Sequence, residues 1–369
     1  MAPLPPPLPV CSRIAGTGSY APARELTNAE LEKMVETTDA WITDRTGIKS
    51  RRIAAEGENT SDMAAEAARR ALASAEVDPS AVDLIIVATV TGDMPLPSTA
   101  VRVQQKIGAR NECAAFDLAA ACAGFCYALR LADLHVRSGL AENVLVVGVE
   151  LLSRVIDWTD RGTCVLFGDG AGAVVVRKSI APGRGILGTH IFADGSGADA
   201  LKIPAGGSAE PTTTRTIEQK GHFVQMKGSE IFKVAVRNLV SSSQIAVESA
   251  GLTPDEIDWV VPHQANARIL AAVSDRLGVP LSRFYLNLEK YGNTSSASIP
   301  IALDEAVRDG SIRAGQTVLF CALGGGIAWA ARSFAGSARG EARSASEERL
   351  RALARGPGTR MDRAHDRHA

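Results

Sequence analysis

The sequence predicts an α/β fold made of two similar βα halves, and three observations predict it. Runs over 82–90, 142–149 and 318–322 are nearly all apolar or β-branched, the character of strands buried on both faces. Between such runs stand segments with apolar residues three and four apart, as in amphipathic helices. Most informative, the second half repeats the first. Residues 74–86 align with 249–261 at a spacing of 175, matching helix end, turn, Pro79 with Pro254, and buried strand. Cys122 to Gly139 align with Asn293 to Gly310 at a spacing of 171, placing Asp133 on Asp304, and the strand over 144–148 then falls on 318–322. A period this long is not that of a solenoid, whose units run roughly 20–50 residues. It implies two halves packed about a pseudo-two-fold axis, with function at the seam. A chain of 369 residues has the length for both.

Taken in order, residues 1–11 are a Pro-rich arm without the basic and apolar regions of a signal peptide. The first half is placed over 12–180. A strand is expected over 12–20 and a helix over 27–37, capped by Thr27 or Asn28. Residues 38–48 form a polar segment in which Trp41 and Arg45 lie a turn apart. A helix follows over 61–75, a strand over 82–90, a two-proline loop over 94–97 and a helix over 98–107. The organising unit is next: a strand over 115–118, small residues, and a helix over 122–138 supported by Phe125, Leu129, Ala132 and Val136. Strands are expected over 142–149, 164–167 and 174–177. The second half is placed over 181–335, opening with a Gly-, Thr- and Pro-rich connection at 183–216. Residues 336–369 are charged and read as a disordered tail.

Composition excludes several classes. A net charge of −1 offers no basic stripe for nucleic acid, and no apolar run approaches the roughly 18 residues of a membrane span. Six cysteines without Cys-x-x-Cys spacing argue against a disulfide framework or a zinc site, which points to a reducing cytoplasm. Gly168 to Ala173 match a dinucleotide-binding fingerprint, but strand rather than helix is expected to follow, so that reading fails.

Four elements carry chemistry. Cys122 falls at a helix start, where free N–H groups and the helix dipole lower a thiol pKa and make a nucleophile without a dedicated base. His263 falls where a buried strand ends. Asn293 falls at the helix start matched to Cys122 and offers a carboxamide donor. Gly324, Gly325 and Gly326 let backbone N–H groups approach a substrate oxygen.

With these in place the sequence resembles the thiolase-fold condensing enzymes, most closely the β-ketoacyl-acyl-carrier-protein synthase III family, over residues 12–334. The motifs are Asp-Ala-Trp-Ile-Thr-Asp-Arg-Thr-Gly-Ile (39–48), Ala-Ala-Cys-Ala-Gly-Phe (120–125), Asp-Arg-Gly-Thr (160–163), His-Gln-Ala-Asn-Ala-Arg-Ile (263–269) and Tyr-Gly-Asn-Thr-Ser-Ser-Ala-Ser (291–298). The resemblance implies a layered α-β-α-β-α core, a homodimer, and a ping-pong Claisen condensation that starts fatty acid synthesis, needing no metal or other cofactor. Cys122 would take an acyl group from acyl-CoA, its oxyanion held by the N–H groups of Cys122 and Gly325. Malonyl-acyl-carrier protein would then lose CO₂, with His263 and Asn293 donating to the developing enolate. By the same resemblance Trp41 and Arg161 would sandwich adenine, Arg45 would meet phosphate, and Lys233, Arg268 and Arg276 would dock the acidic carrier protein. Where many members carry an aromatic gate from the partner subunit this chain has Leu96, and Leu323 precedes the glycines, which leaves primer length open. A secondary-metabolism relative that joins or transfers acyl chains would use the same Cys-His-Asn set; the other rival, a non-catalytic subunit that shapes an acyl tunnel, would have no use for a nucleophile, and retention of all three residues argues against it.

Overall fold

The computed structural model describes residues 11–179 and 184–331. The tail expected over 336–369 and all but the last residue of the arm expected over 1–11 lie outside them. The elements, in order, are β1 Ser12–Tyr20, β2 Arg24–Thr27, α1 Asn28–Leu31, α2 Asp39–Thr46, β3 Ser50–Ile53, α3 Thr60–Ala75, β4 Leu84–Ala88, α4 Thr99–Ile107, β5 Ala114–Leu118, α5 Gly124–Arg137, β6 Asn143–Glu150, α6 Arg161–Cys164 and β7 Gly170–Lys178. They continue with β8 Gly185–Ile191, β9 Leu201–Lys202, α7 Thr214–Glu218, β10 Gln225–Met226, α8 Gly228–Ser249, β11 Trp259–Pro262, α9 Ala267–Leu277, α10 Leu288–Tyr291, α11 Ser298–Arg308, β12 Thr317–Ala322 and β13 Gly325–Ala330.

Two sheets organise the molecule. One has the order β1-β7-β6-β4-β5, the other β11-β12-β13-β8. In the first, β4 runs parallel to both β5 and β6 while β7 is antiparallel to β6 and β1. In the second, β11 is parallel to β12 and the rest is antiparallel. Helices α5 and α11 lie between the sheets, since Phe125, Leu129, Ile299 and Leu303 share one apolar cluster with Val146 and Val174 from the first sheet and Phe320 and Trp329 from the second. Helices α3 and α4 cover the outer face of the first sheet, and α8 and α9 that of the second. The result is the expected five-layered α-β-α-β-α core. The halves also match in detail: Asp133 on α5 accepts from Ser12, and Asp304 on α11 accepts from Thr17 and Ser19.

Three expectations are corrected. The helix expected over 27–37 is the single turn α1, with Thr27 as its cap. β-Branched Val35, Thr37 and Thr38 follow, and Thr38 caps α2 by accepting from the Trp41 N–H. The strand expected over 164–167 is instead the last residue of helix α6, which Asp160 caps through the Gly162 N–H, followed by a turn at Val165 and Leu166; Phe167 alone makes a bridge, to Asn293. The connection expected over 183–216 opens with β8, disguised by its glycines. A β-carbon on Gly188 would collide with the Ala246 carbonyl of α8, so close packing requires the residue that weakens the strand pattern. The Gly168-to-Ala173 reading stands: β7 begins at Gly170 and no helix follows.

Candidate active site

Cys122 sits in a 3₁₀ turn, Ala121–Ala123, between β5 and α5. Its structural counterpart is the 3₁₀ turn Ser295–Ala297 before α11. Each turn opens on a non-glycine residue with left-handed backbone, φ 43° at Ala121 and φ 49° at Ser295. In that register the counterpart of Cys122 is Ser296, not Asn293, which lies three residues earlier. The reason is length: α5 has 14 residues and α11 has 11, so the spacing of 171 that fits the helix ends becomes 174 at the turns.

The two turns touch each other. His263 leaves the end of β11 with its N–H donating to the Cys321 carbonyl at 2.8 Å, and its side chain is 1% exposed. Its Nδ1 lies 2.7 Å from the Ser298 hydroxyl, which also faces the Ser295 carbonyl at 2.9 Å and receives the Gln264 N–H at 3.3 Å. One hydroxyl proton thus faces two acceptors. Asn293 is held through its backbone, donating to Leu166 and accepting from Gly168. Its Oδ1 accepts from the Ser295 N–H at 2.9 Å, and its NH₂ donates to no group among the described residues.

Ser295 therefore joins the three residues picked from the sequence. Its N–H holds Asn293, its backbone hydrogen-bonds His263, and its side chain hydrogen-bonds Cys122. Beneath it lies a carboxylate that sequence reading passed over. Glu150, fully buried at the end of β6, accepts from the hydroxyls of Ser295 (3.2 Å), Ser296 (3.3 Å), Thr91 (2.6 Å) and Thr89 (3.4 Å) and from the Val90 N–H. The hydroxyl-rich motif over 291–298 was a signal for these contacts, whereas Glu150 merely closes an apolar run.

Electrostatics corrects one expectation. Desolvation pushes the Cys122 thiol up to about 11, against the favourable hydrogen bond from Ser295 and with a further push from Glu150. The expected helix-terminal lowering does not decide the thiol, because α5 proper starts two residues later at Gly124. Burial pushes His263 down to about 4 and Glu150 up to about 7. At neutral pH thiol and imidazole are therefore both uncharged.

The remaining predicted residues fall in three groups. Arg45 and Arg161 bring their guanidinium carbons 4.8 Å and 4.9 Å from the ring centroid of Trp41, so α2 and α6 assemble this set. Gly325, the first residue of β13, packs on Cys126, one helical turn beyond Cys122; a β-carbon there would press on that side chain. Leu323 is partly buried against the α8 and α9 side of the core, and Leu96 is 83% exposed before α4. Lys233 on α8, with Arg268 and Arg276 on α9, is exposed, and none of the three has an ion pair among the described residues. The Asn266 side chain ties the start of α9 to the Arg45 carbonyl at 3.0 Å. Among the described residues no group of His, Cys, Asp and Glu could hold a metal ion, and no helix is long and apolar enough to cross a membrane.

Residues 116–195 match the family model for 3-oxoacyl-[acyl-carrier-protein] synthase III, and residues 247–335 match the model for its C-terminal part. A β-ketoacyl-[acyl-carrier-protein] synthase III of Caldanaerobacter subterraneus is 52% identical over 325 residues, spanning 87% of this chain and 98% of the relative. The crystal structure of the corresponding synthase from Aquifex aeolicus superposes with a TM-score of 0.79 at 45% identity, covering 87% of this chain and all of that one. A priming β-ketosynthase of a polyketide pathway superposes with a TM-score of 0.80 at 40% identity, covering 88% and 97%. With the five layers, the paired turns and the Cys-His-Asn set in place, the chain belongs to the β-ketoacyl-acyl-carrier-protein synthase III family of thiolase-fold condensing acyltransferases.

Proposed function

We propose that this chain starts acyl chains by joining a primer from acyl-CoA to malonyl-acyl-carrier protein, with Cys122, His263 and Asn293 as its catalytic residues. Cys122 attacks the thioester; a bond forms from its sulfur to the acyl carbon, the bond to CoA breaks, and CoA leaves. The N–H groups of Cys122 and Gly325 hold the oxyanion. Malonyl-carrier then loses CO₂, the electron pair passing to an enolate that His263 and Asn293 stabilise as donors. The enolate carbon attacks the acyl-cysteine and releases its sulfur. His263 is a donor at Nε2 when Ser298 turns its proton toward Nδ1, and the unengaged NH₂ of Asn293 suits the same task. The observation that carries the reading is Ser295, one residue in contact with all three. The scheme draws on no metal or redox group, and acyl-CoA is a substrate.

Trp41, Arg45 and Arg161 are the proposed CoA-binding residues; adenine would displace a guanidinium already resting on the indole. Lys233, Arg268 and Arg276 would receive the carrier protein. The two halves, 12–180 and 181–335, would each supply part of the site. A homodimer is proposed through β5, an edge strand that exposes Phe116, together with the loop before α4 that exposes Leu96, so that Leu96 would face a partner's acyl pocket and Leu323 its own. A reducing cytoplasm would suit the free cysteines. Likeness to the polyketide priming synthase favours one alternative, initiation of a specialised product. Intact-mass measurement with acyl-CoA should give an adduct that Cys122→Ala lacks, and its absence from the native chain would leave a binding role. A panel of primers with malonyl-carrier then separates the two enzymatic readings by product.

A further inference from the structure

We propose that Glu150, acting through the Ser295 hydroxyl, is the proton acceptor for the Cys122 thiol. The inference rests on the acyl-transfer reading above. It begins from three groups gathered where the two turns touch: the sulfur of Cys122, the hydroxyl of Ser295, which lowers the thiol pKa through a side-chain hydrogen bond, and the carboxylate of Glu150, whose Oε1 lies 3.2 Å from that hydroxyl.

A hydroxyl can accept one proton while giving up its own. As the sulfur attacks the thioester, the thiol proton passes to Ser295 Oγ and the Ser295 proton passes to Glu150, leaving a neutral carboxylic acid. CoA departs as a thiolate and takes a proton from water. When the condensation later expels the Cys122 sulfur, the same two transfers run backward and restore thiol and carboxylate. Atoms and charge balance with water as the one further reactant, the hydroxide it leaves being taken up as bicarbonate by the CO₂ of the decarboxylation.

Glu150 suits the task better than His263. Burial brings the carboxyl to about 7, four below the thiol, whereas the imidazole at about 4 is seven below it. The groups that face Glu150 are the hydroxyls of Thr89 and Thr91 and the Val90 N–H beyond β4, the hydroxyls of Ser295 and Ser296 before α11, and Cys122 before α5, whose thiol the carboxylate's charge pushes up. His263 meets this cluster through the Ser295 backbone, directly and by way of the Ser298 hydroxyl. Ser295 is the group that touches the reacting atom; Glu150 is a positioning residue that acts through it.

The test compares the full chain with Glu150→Gln, Glu150→Asp and Ser295→Ala between pH 5.5 and 9, using two readouts. One is single-turnover acylation of Cys122 by acetyl-CoA. The other is alkylation of Cys122 by iodoacetamide, followed on its peptide, which requires no acyl transfer. The native chain should show both rates rising about tenfold per pH unit below pH 7 and levelling above it. Glu150→Gln and Ser295→Ala should lose that rise and fall roughly 100-fold at pH 8 in both readouts, while Glu150→Asp retains it. Should Glu150→Gln fail to fold, Ser295→Ala carries the test with the carboxylate intact. The native rise persisting in either of these two variants overturns the relay. No acylation by the native chain, with the alkylation pattern as expected, overturns instead the acyl-transfer reading.

Discussion

Glu150 and His263 are both buried beside Ser295 and both displaced from their ordinary pKa values, in directions that oppose each other in stability. Glu150 rises from 4.5 to about 7, so the folded chain holds its proton more tightly than the unfolded one, and stability falls as pH rises through that window. His263 drops from 6.5 to about 4, so the unfolded chain holds the proton more tightly, and stability rises with pH between those values. Each effect is worth about 3 kcal/mol at its limit. Denaturant unfolding should accordingly show the native chain losing about 3 kcal/mol relative to Glu150→Gln between pH 4.5 and 7, and gaining about 3 kcal/mol relative to His263→Asn between pH 4 and 6.5. Parallel curves would contradict the assignment. Ser298→Ala removes the hydroxyl that can donate to His263 Nδ1 and should slow malonyl decarboxylation roughly tenfold while changing Cys122 acylation by less than about threefold; equal losses in the two half-reactions count against it. Cys122, His263 and Asn293 could be picked as candidates because a thiol, an imidazole and a carboxamide at strand ends and helix starts are chemically conspicuous. Ser295 and Ser298 were not, since serines before a helix read as caps, and Glu150 gave no local sign of burial. The pKa of Cys122 was misread because a helix start is visible in sequence whereas desolvation is set by residues far along the chain.

The turn that carries Ser295 and Ser296 rests on strands cleared of side chains. A β-carbon on Gly148 of β6 would collide with the Ser296 carbonyl oxygen, and one on Gly172 of β7 would lie 2.6 Å from the Ile301 nitrogen of α11. Gly148→Ala should therefore displace the turn from beneath Cys122, costing roughly 2 kcal/mol or more and most of the acylation rate. Unchanged stability together with native acylation would mean that the turn yields freely. Gly139→Ala is a control with open space around it, although its left-handed backbone carries a cost of its own. Long elements such as α3, β4 and β6 were readable to within a few residues because their patterns are continuous. Helix α2 was hidden in a polar segment closed by left-handed Gly47, and β8 was hidden by glycines whose purpose, contact with α8, exists only once the sheet has formed. Alignment at a single spacing also matched Cys122 to Asn293, because a three-residue difference between α5 and α11 is invisible until both turns are seen.

The five layers were foreshadowed by the internal repeat, which required two sheets and a shared middle. What the repeat could not supply was the edge: among the described residues β5 pairs with β4 alone, and it carries Phe116 at 36% exposure. Phe116→Arg should weaken self-association at least tenfold in sedimentation, and a native chain that sediments as a monomer would remove the dimer from the proposal. A β-carbon at positive φ costs roughly 1–2 kcal/mol, yet Ala121 and Ser295 both adopt it. The same costly bend thus stands on each side of the place where the two turns meet, and what differs between them is the side chain that follows: a sulfur at Cys122, a hydroxyl at Ser296.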